Sequence, residues 1–113
     1  MLIDFNNMQE IEIEHLDGGE GAIPAKMFMN EYGKVIVSRI PPKYSIGLHC
    51  HKSSNDINFV ISGTGRAICD GKEEVLTAGT CHYCKIGQEH SIINDGDEDL
   101  VLYTVVLKLS PKK

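Results

Sequence analysis

Turn-forming residues interrupt this chain at intervals of roughly 8–12 residues, a spacing that suits short strands and leaves little room for helices. They are Asp17-Gly18-Gly19, the stretch 30–33, Pro41-Pro42, Ser53-Ser54-Asn55, Gly63-Thr64-Gly65, Asp70-Gly71, Ala78-Gly79, Gly87 and the stretch 94–97. Between them lie β-rich runs at 11–13, 34–40, 57–61, 67–69, 74–77 and 100–109. No window repeats its apolar residues with a helical period. Short strands at this spacing predict an all-β sandwich or barrel. Asp70-Gly71 between two short runs predicts a hairpin.

The chain has 113 residues, 42% of them hydrophobic, which suffices for one core and one domain over 1–113. Trp is absent and aromatic residues make up 6%, so that core must be built from Val, Ile and Leu. A net charge of −5 argues against a nucleic-acid-binding surface. The one basic run, Pro111-Lys112-Lys113, reads as a solvated tail. No apolar stretch reaches the roughly 18 residues of a membrane span. The first residues lack the pattern of a signal peptide, so the expected location is cytoplasmic, with no membrane partner. Cys50, Cys69, Cys81 and Cys84 are then expected as reduced thiols.

The stretch 100–107 is apolar at nearly every residue, which implies a strand covered on both faces. One face belongs to the core. The other is expected to meet a second subunit or the N-terminal segment. Residues 1–33 would hold N-terminal strands at the interface of a homodimer.

His49-Cys50-His51 carries the chemistry. Side chains on a strand alternate, so both imidazoles point to one face and can meet one metal ion. Asp56 and His90 could complete a set of three nitrogens and one oxygen.

These residues resemble the two motifs of the cupin family. The first runs His-x-His, a short spacer, a carboxylate, then an aromatic, two aliphatics and a Gly-x-Gly turn. Here it reads His49-Cys50-His51, Asp56, Phe59-Val60-Ile61 and Gly63-Thr64-Gly65, within 43–65. The second, over 79–94, opens at Gly79 and runs through Lys85-Ile86-Gly87 to His90 and Asn94. Lys43 stands where the family has Gly, Lys85 where it has Pro, and Asp56 where it has Glu. The resemblance implies a double-stranded β-helix barrel of jelly-roll type, usually dimeric. It also implies one divalent transition metal held in the barrel mouth by His49, His51, Asp56 and His90. Asp is one methylene shorter than Glu. It can ligate directly, ligate through water, or accept a hydrogen bond from another ligand.

Fe, Mn, Ni, Cu and Zn all suit three imidazoles and a carboxylate. Four protein ligands leave positions open for substrate, as a catalytic site requires. If Asp56 points inward, Asn58 and Val60 do too. On the strand after Gly79 the inward pair is His82 and Cys84, by analogy with the family; each contacts substrate, supports a ligand or merely packs. Cys81 and Cys84, three apart on a strand, face opposite ways and make no redox pair. Cys50 should point away from the metal as a core thiol, and His15 should lie on the surface. Lys43, Tyr44 and Tyr103 are further candidates for the pocket wall, the last with undetermined strand phase.

Two functions follow. One is a small metalloenzyme acting on an organic acid, enediol or sugar-like substrate, of dioxygenase, decarboxylase, isomerase or lyase type. The other is a barrel that binds or senses a small sugar or organic acid without turnover.

Overall fold

The computed structural model describes residues 1–109. The expected solvated tail, 111–113, lies outside the described residues. Among the described residues ten strands follow one another: β1 (Ile11–Glu14), β2 (Ala22–Asn30), β3 (Gly33–Ile40), β4 (Ser45–Cys50), β5 (Ser54–Ser62), β6 (Thr64–Cys69), β7 (Lys72–Thr77), β8 (Cys81–Cys84), β9 (Glu89–Ile93) and β10 (Leu100–Lys108). They form two antiparallel sheets. The larger runs β1-β2-β3-β10-β5-β8 and the smaller β4-β9-β6-β7. This is the expected all-β barrel.

The runs read from the sequence became β1, β3, β5, β6, β7 and β10. β2 was hidden by Pro24, a residue that cannot donate to a ladder. Pro24 pairs with Glu12 of β1, while pairing with β3 begins only at Ala25, so its missing N–H costs the sheet little. Ser54 and Asn55, read as turn residues, instead open β5, where they pair with Lys108 and Leu107.

Alternation then sorts side chains to two sides. Ile23, Ile40, Val60, Ala67, Leu76, Ile92, Leu100 and Leu102 meet between the sheets as the buried core. Each of the Ile, Leu and Val side chains contributes roughly 1.5–3 kcal/mol by leaving water. Asn94 is fully buried and knits the exit of β9. Its amide donates to the carbonyls of Ile40 and Glu98, both at 2.7 Å, and its Oδ1 accepts from Gly96 N–H at 2.9 Å.

Within one chain the outer face of β10 is only partly covered. Tyr103 points outward and is 46% exposed. The N-terminal segment covers part of this face: Phe5 shares a groove with Val37, Val101 and Tyr103. Lys43 holds φ 71, a left-handed conformation that costs a residue with a Cβ about 1–2 kcal/mol. Glycine adopts it freely, which accounts for the family pattern at this position.

Candidate metal centre

β4 and β9 pair so that His49 lies directly opposite His90. A register shift between Ile46 and His49 bends β4 just before the histidines. His51 follows the end of the strand and is tied down by its backbone. Its N–H donates to Gln88 O at 3.3 Å, and its carbonyl accepts from Gly87 N–H at 2.7 Å. Asp56 comes from β5 of the opposite sheet. The barrel thus brings all four residues together inside its mouth.

The distances are short and regular. Nε2 of His49, His51 and His90 form a triangle with every edge 3.1 Å. Oδ2 of Asp56 lies 3.2 Å from His51 Nε2 and 3.1 Å from His90 Nε2. The four donor atoms lie within 4.8 Å of one another.

Local bonds decide which nitrogen of His49 is available. Its Nδ1–H donates to Gly47 O at 2.8 Å, with Asp17 Oδ2 at 3.2 Å. A carbonyl can only accept, so Nδ1 carries the proton and the neutral ring turns a bare Nε2 inward. A Cβ on Gly47 would meet Asp17 O at 2.0 Å, so only glycine admits this approach. On Asp56, Asn58 Nδ2 donates to Oδ2 at 3.3 Å, and Asn58 Oδ1 accepts from Thr104 Oγ1 at 2.7 Å.

Burial holds the His51 imidazole below its ordinary 6.5, reinforced by His49 and His90 and opposed by Asp56. Burial alone would push Asp56 up. The neighbouring His90 and His51 rings and the Asn58 amide outweigh it and bring the carboxyl below its usual range. The ground state near neutral pH is therefore a neutral imidazole beside a carboxylate.

A cavity of about 200 Å³ opens onto the cluster. Its wall is largely aliphatic, including Ile13, Ile23, Met27, Ile36 and Val106, with Ser38, Asn58 and Thr104 as polar groups. Lys34 and Asp17 bring opposite charges to the lining. Neither Lys34 nor Asp17 was singled out in the sequence. Lys34 reads there as a strand residue and Asp17 as part of a turn.

The other candidates divide. Asn58 lines the cavity, as alternation requires. His82 and Cys84 are buried and inward, but neither lines the cavity. His82 Nε2 instead lies 2.8 Å from His90 Nδ1. Cys84 lies against Cys69 and Gln88, and burial pushes its thiol up to about 12. Tyr44 stands outside the cavity, its ring against Gly21, where a Cβ would come within 2.2 Å. Tyr103 is on the outer face of β10, and Lys43 Nζ donates to Asp95 O at 3.3 Å, so neither reaches the cavity. Cys50 does point away from the histidines, but into solvent rather than a core, because the outer side of β4 is uncovered. Cys81 is exposed and Cys84 buried, on opposite faces as expected.

The donor set fits a divalent transition metal. Three imidazole nitrogens and one carboxylate oxygen, all within 4.8 Å of one another, would hold such an ion through His49, His51, Asp56 and His90.

Comparison with known proteins agrees with this architecture. Residues 36–106 match the family model described as a cupin domain. An oxalate-binding protein from Thermotoga maritima is 27% identical over 96% of this chain and 95% of its own length. The crystal structure of a predicted oxalate decarboxylase from Thermotoga maritima superposes with a TM-score of 0.90 at 25% identity, covering 96% of this chain and all of that one. A cupin 2 conserved barrel domain protein from Salinispora arenicola superposes at 0.72 with 21% identity, covering 98% of this chain and 89% of that one. Matched over more than half its length by that family model, and built as the same barrel, this chain belongs to the cupin family.

Proposed function

We propose that this cupin is a metalloprotein that takes a small organic acid at a divalent ion held by His49, His51, Asp56 and His90. One observation carries the reading: three imidazole nitrogens stand 3.1 Å apart, and a carboxylate oxygen lies 3.1–3.2 Å from two of them. At least His49 presents a bare lone pair there. Lone pairs packed this closely repel unless a cation sits among them.

The chain's own groups would do the rest. Asn58, braced by Thr104, holds the Asp56 carboxylate in orientation. Lys34 supplies positive charge in the lining, which favours an anion. The aliphatic wall thins the water around the ligand and strengthens each polar contact. A bound ion would supply Lewis acidity toward a carboxylate, and a redox-active one would add dioxygen chemistry. Decarboxylase-type or dioxygenase-type turnover is the enzymatic form of this reading.

Capture without turnover is the second reading. It is favoured by the aliphatic wall, which carries few proton donors near the cluster, and by the oxalate-binding relative. Titration of manganese- and nickel-loaded protein with oxalate, and with a longer monocarboxylate, tests both. Saturable, metal-dependent binding of either acid supports the reading, and release of carbon dioxide or formate would select the enzyme. Equal binding by loaded and metal-stripped protein would refute it.

The homodimer belongs to the same proposal. Phe59, Ile61, Tyr83 and Tyr103 share the outer face of β5, β8 and β10 and are each 46–48% exposed, an apolar patch suited to a second copy. A cytoplasmic setting fits the four free thiols.

A further inference from the structure

His90 is gripped from behind as well as aimed forward. Its Nε2 faces the cluster. Its Nδ1 lies 2.8 Å from His82 Nε2, and His82 Nδ1 lies 2.7 Å from Glu74 Oε1. The two ring planes differ by 28°. The side chains of His82 and His90 are completely buried, while that of Glu74 is 48% exposed. The three residues sit on β7, β8 and β9. β7 ends the smaller sheet and β8 ends the larger, so the Glu74–His82 bond crosses the seam between two sheet edges.

Proton accounting along this line has one solution with neutral rings. The Glu74 carboxylate only accepts, so His82 Nδ1 carries hydrogen. His82 Nε2 is then bare and accepts from His90 Nδ1–H. His90 Nε2 is therefore bare as well, and it faces His49, His51 and Asp56. We propose that Glu74, acting through His82, is a positioning residue that fixes the tautomer and ring orientation of His90, so that a surface carboxylate sets a donor atom inside the barrel. The consequence for metal affinity rests on the metal reading above; the tautomer does not. Partners behind metal-bound histidines commonly change affinity about 10–100-fold.

Glu73 gives the control. It neighbours Glu74 but alternates to the other face, 3.7 Å from Arg66. Metal-free protein labelled with ¹⁵N-histidine would be compared as wild type, Glu74→Ala, Glu74→Gln and Glu73→Gln, by two-bond ¹H–¹⁵N correlation. Nickel affinity would be measured on the same four proteins by chelator competition, with thermal melts as the fold check. Wild type and Glu73→Gln should show His90 protonated on Nδ1. Glu74→Ala should mix the tautomers and weaken nickel binding about 10–100-fold. Glu74→Gln should fall between, since its amide oxygen still accepts but carries no charge. A wild-type His90 protonated on Nε2, or a Glu74→Ala protein with unchanged His90 spectra, would overturn the proposal. A wild type with the expected tautomer, lost in Glu74→Ala, that binds no nickel would support the positioning role and count against the metal centre instead.

Discussion

A backbone carbonyl decides what His49 can do. Gly47 O accepts from His49 Nδ1–H, which leaves Nε2 free to meet His51, His90 and Asp56. The ligand candidates were legible from the sequence because alternation and motif spacing name them directly. Asp17 and Glu74 were not, because their relevance depends on a turn folding back on β4 and on two sheet edges meeting, neither of which spacing reveals. Asp56 and His51 also set an acid sensitivity. Both hold lowered values in the folded chain, so the unfolded chain binds more protons as pH falls. Stability of the metal-free protein should therefore drop as pH falls below about 6.5, through His51, and again below about 3.8, through Asp56. Urea melts at stepped pH check this; a midpoint unchanged between pH 7 and 5 would rule out the His51 contribution. At Lys43 the reverse of a usual loss is expected. Lys43→Gly should stabilise by about 0.5–1 kcal/mol, because φ 71 suits glycine and the side chain makes one long, exposed hydrogen bond.

Among the strands, β10 illustrates why some phases stay hidden. Its residues are apolar on both sides, so period-two patterning cannot say whether Tyr103 or Thr104 faces inward. Pairing with β3 and β5 settles it: Leu100, Leu102 and Thr104 are buried and Tyr103 is out. β2 stayed hidden for a different reason, a proline tolerated where only β1 pairs with it. The phase of β10 gives a paired prediction. Thr104→Val should cost about 1–3 kcal/mol, because it leaves Asn58 Oδ1 buried without its donor. Tyr103→Thr should cost well under that, about 0.5 kcal/mol, as an outward residue on a strand. Chemical denaturation of the two variants checks the ordering, and a more costly Tyr103 change would reverse the assigned phase.

The molecule as a whole divides its labour between an interior that holds the cavity and an outer face left partly apolar. The aliphatic core runs up to the cavity, whose lining it shares through Ile23 and Ile92, and the donor cluster stands on the same wall. The outer face of β5, β8 and β10 was foreseen only as a strand needing cover; the N-terminal segment supplies part of it. If a second copy supplies the rest, wild-type protein should run as a dimer in light scattering. Phe59→Lys should then shift it to monomer without loss of the cluster. A wild type that is monomeric at every concentration would remove the dimer from this reading.

Metal content decides the matter at the centre of the barrel. Untagged protein purified anaerobically, with His49→Ala and His90→Ala in parallel, should carry close to one divalent transition metal per chain in the wild type and almost none in either variant. Wild-type protein that remains metal-free after exposure to manganese, iron, nickel and zinc, while all three proteins stay equally folded, would show that the cluster binds no ion and leave a metal-free ligand-binding barrel.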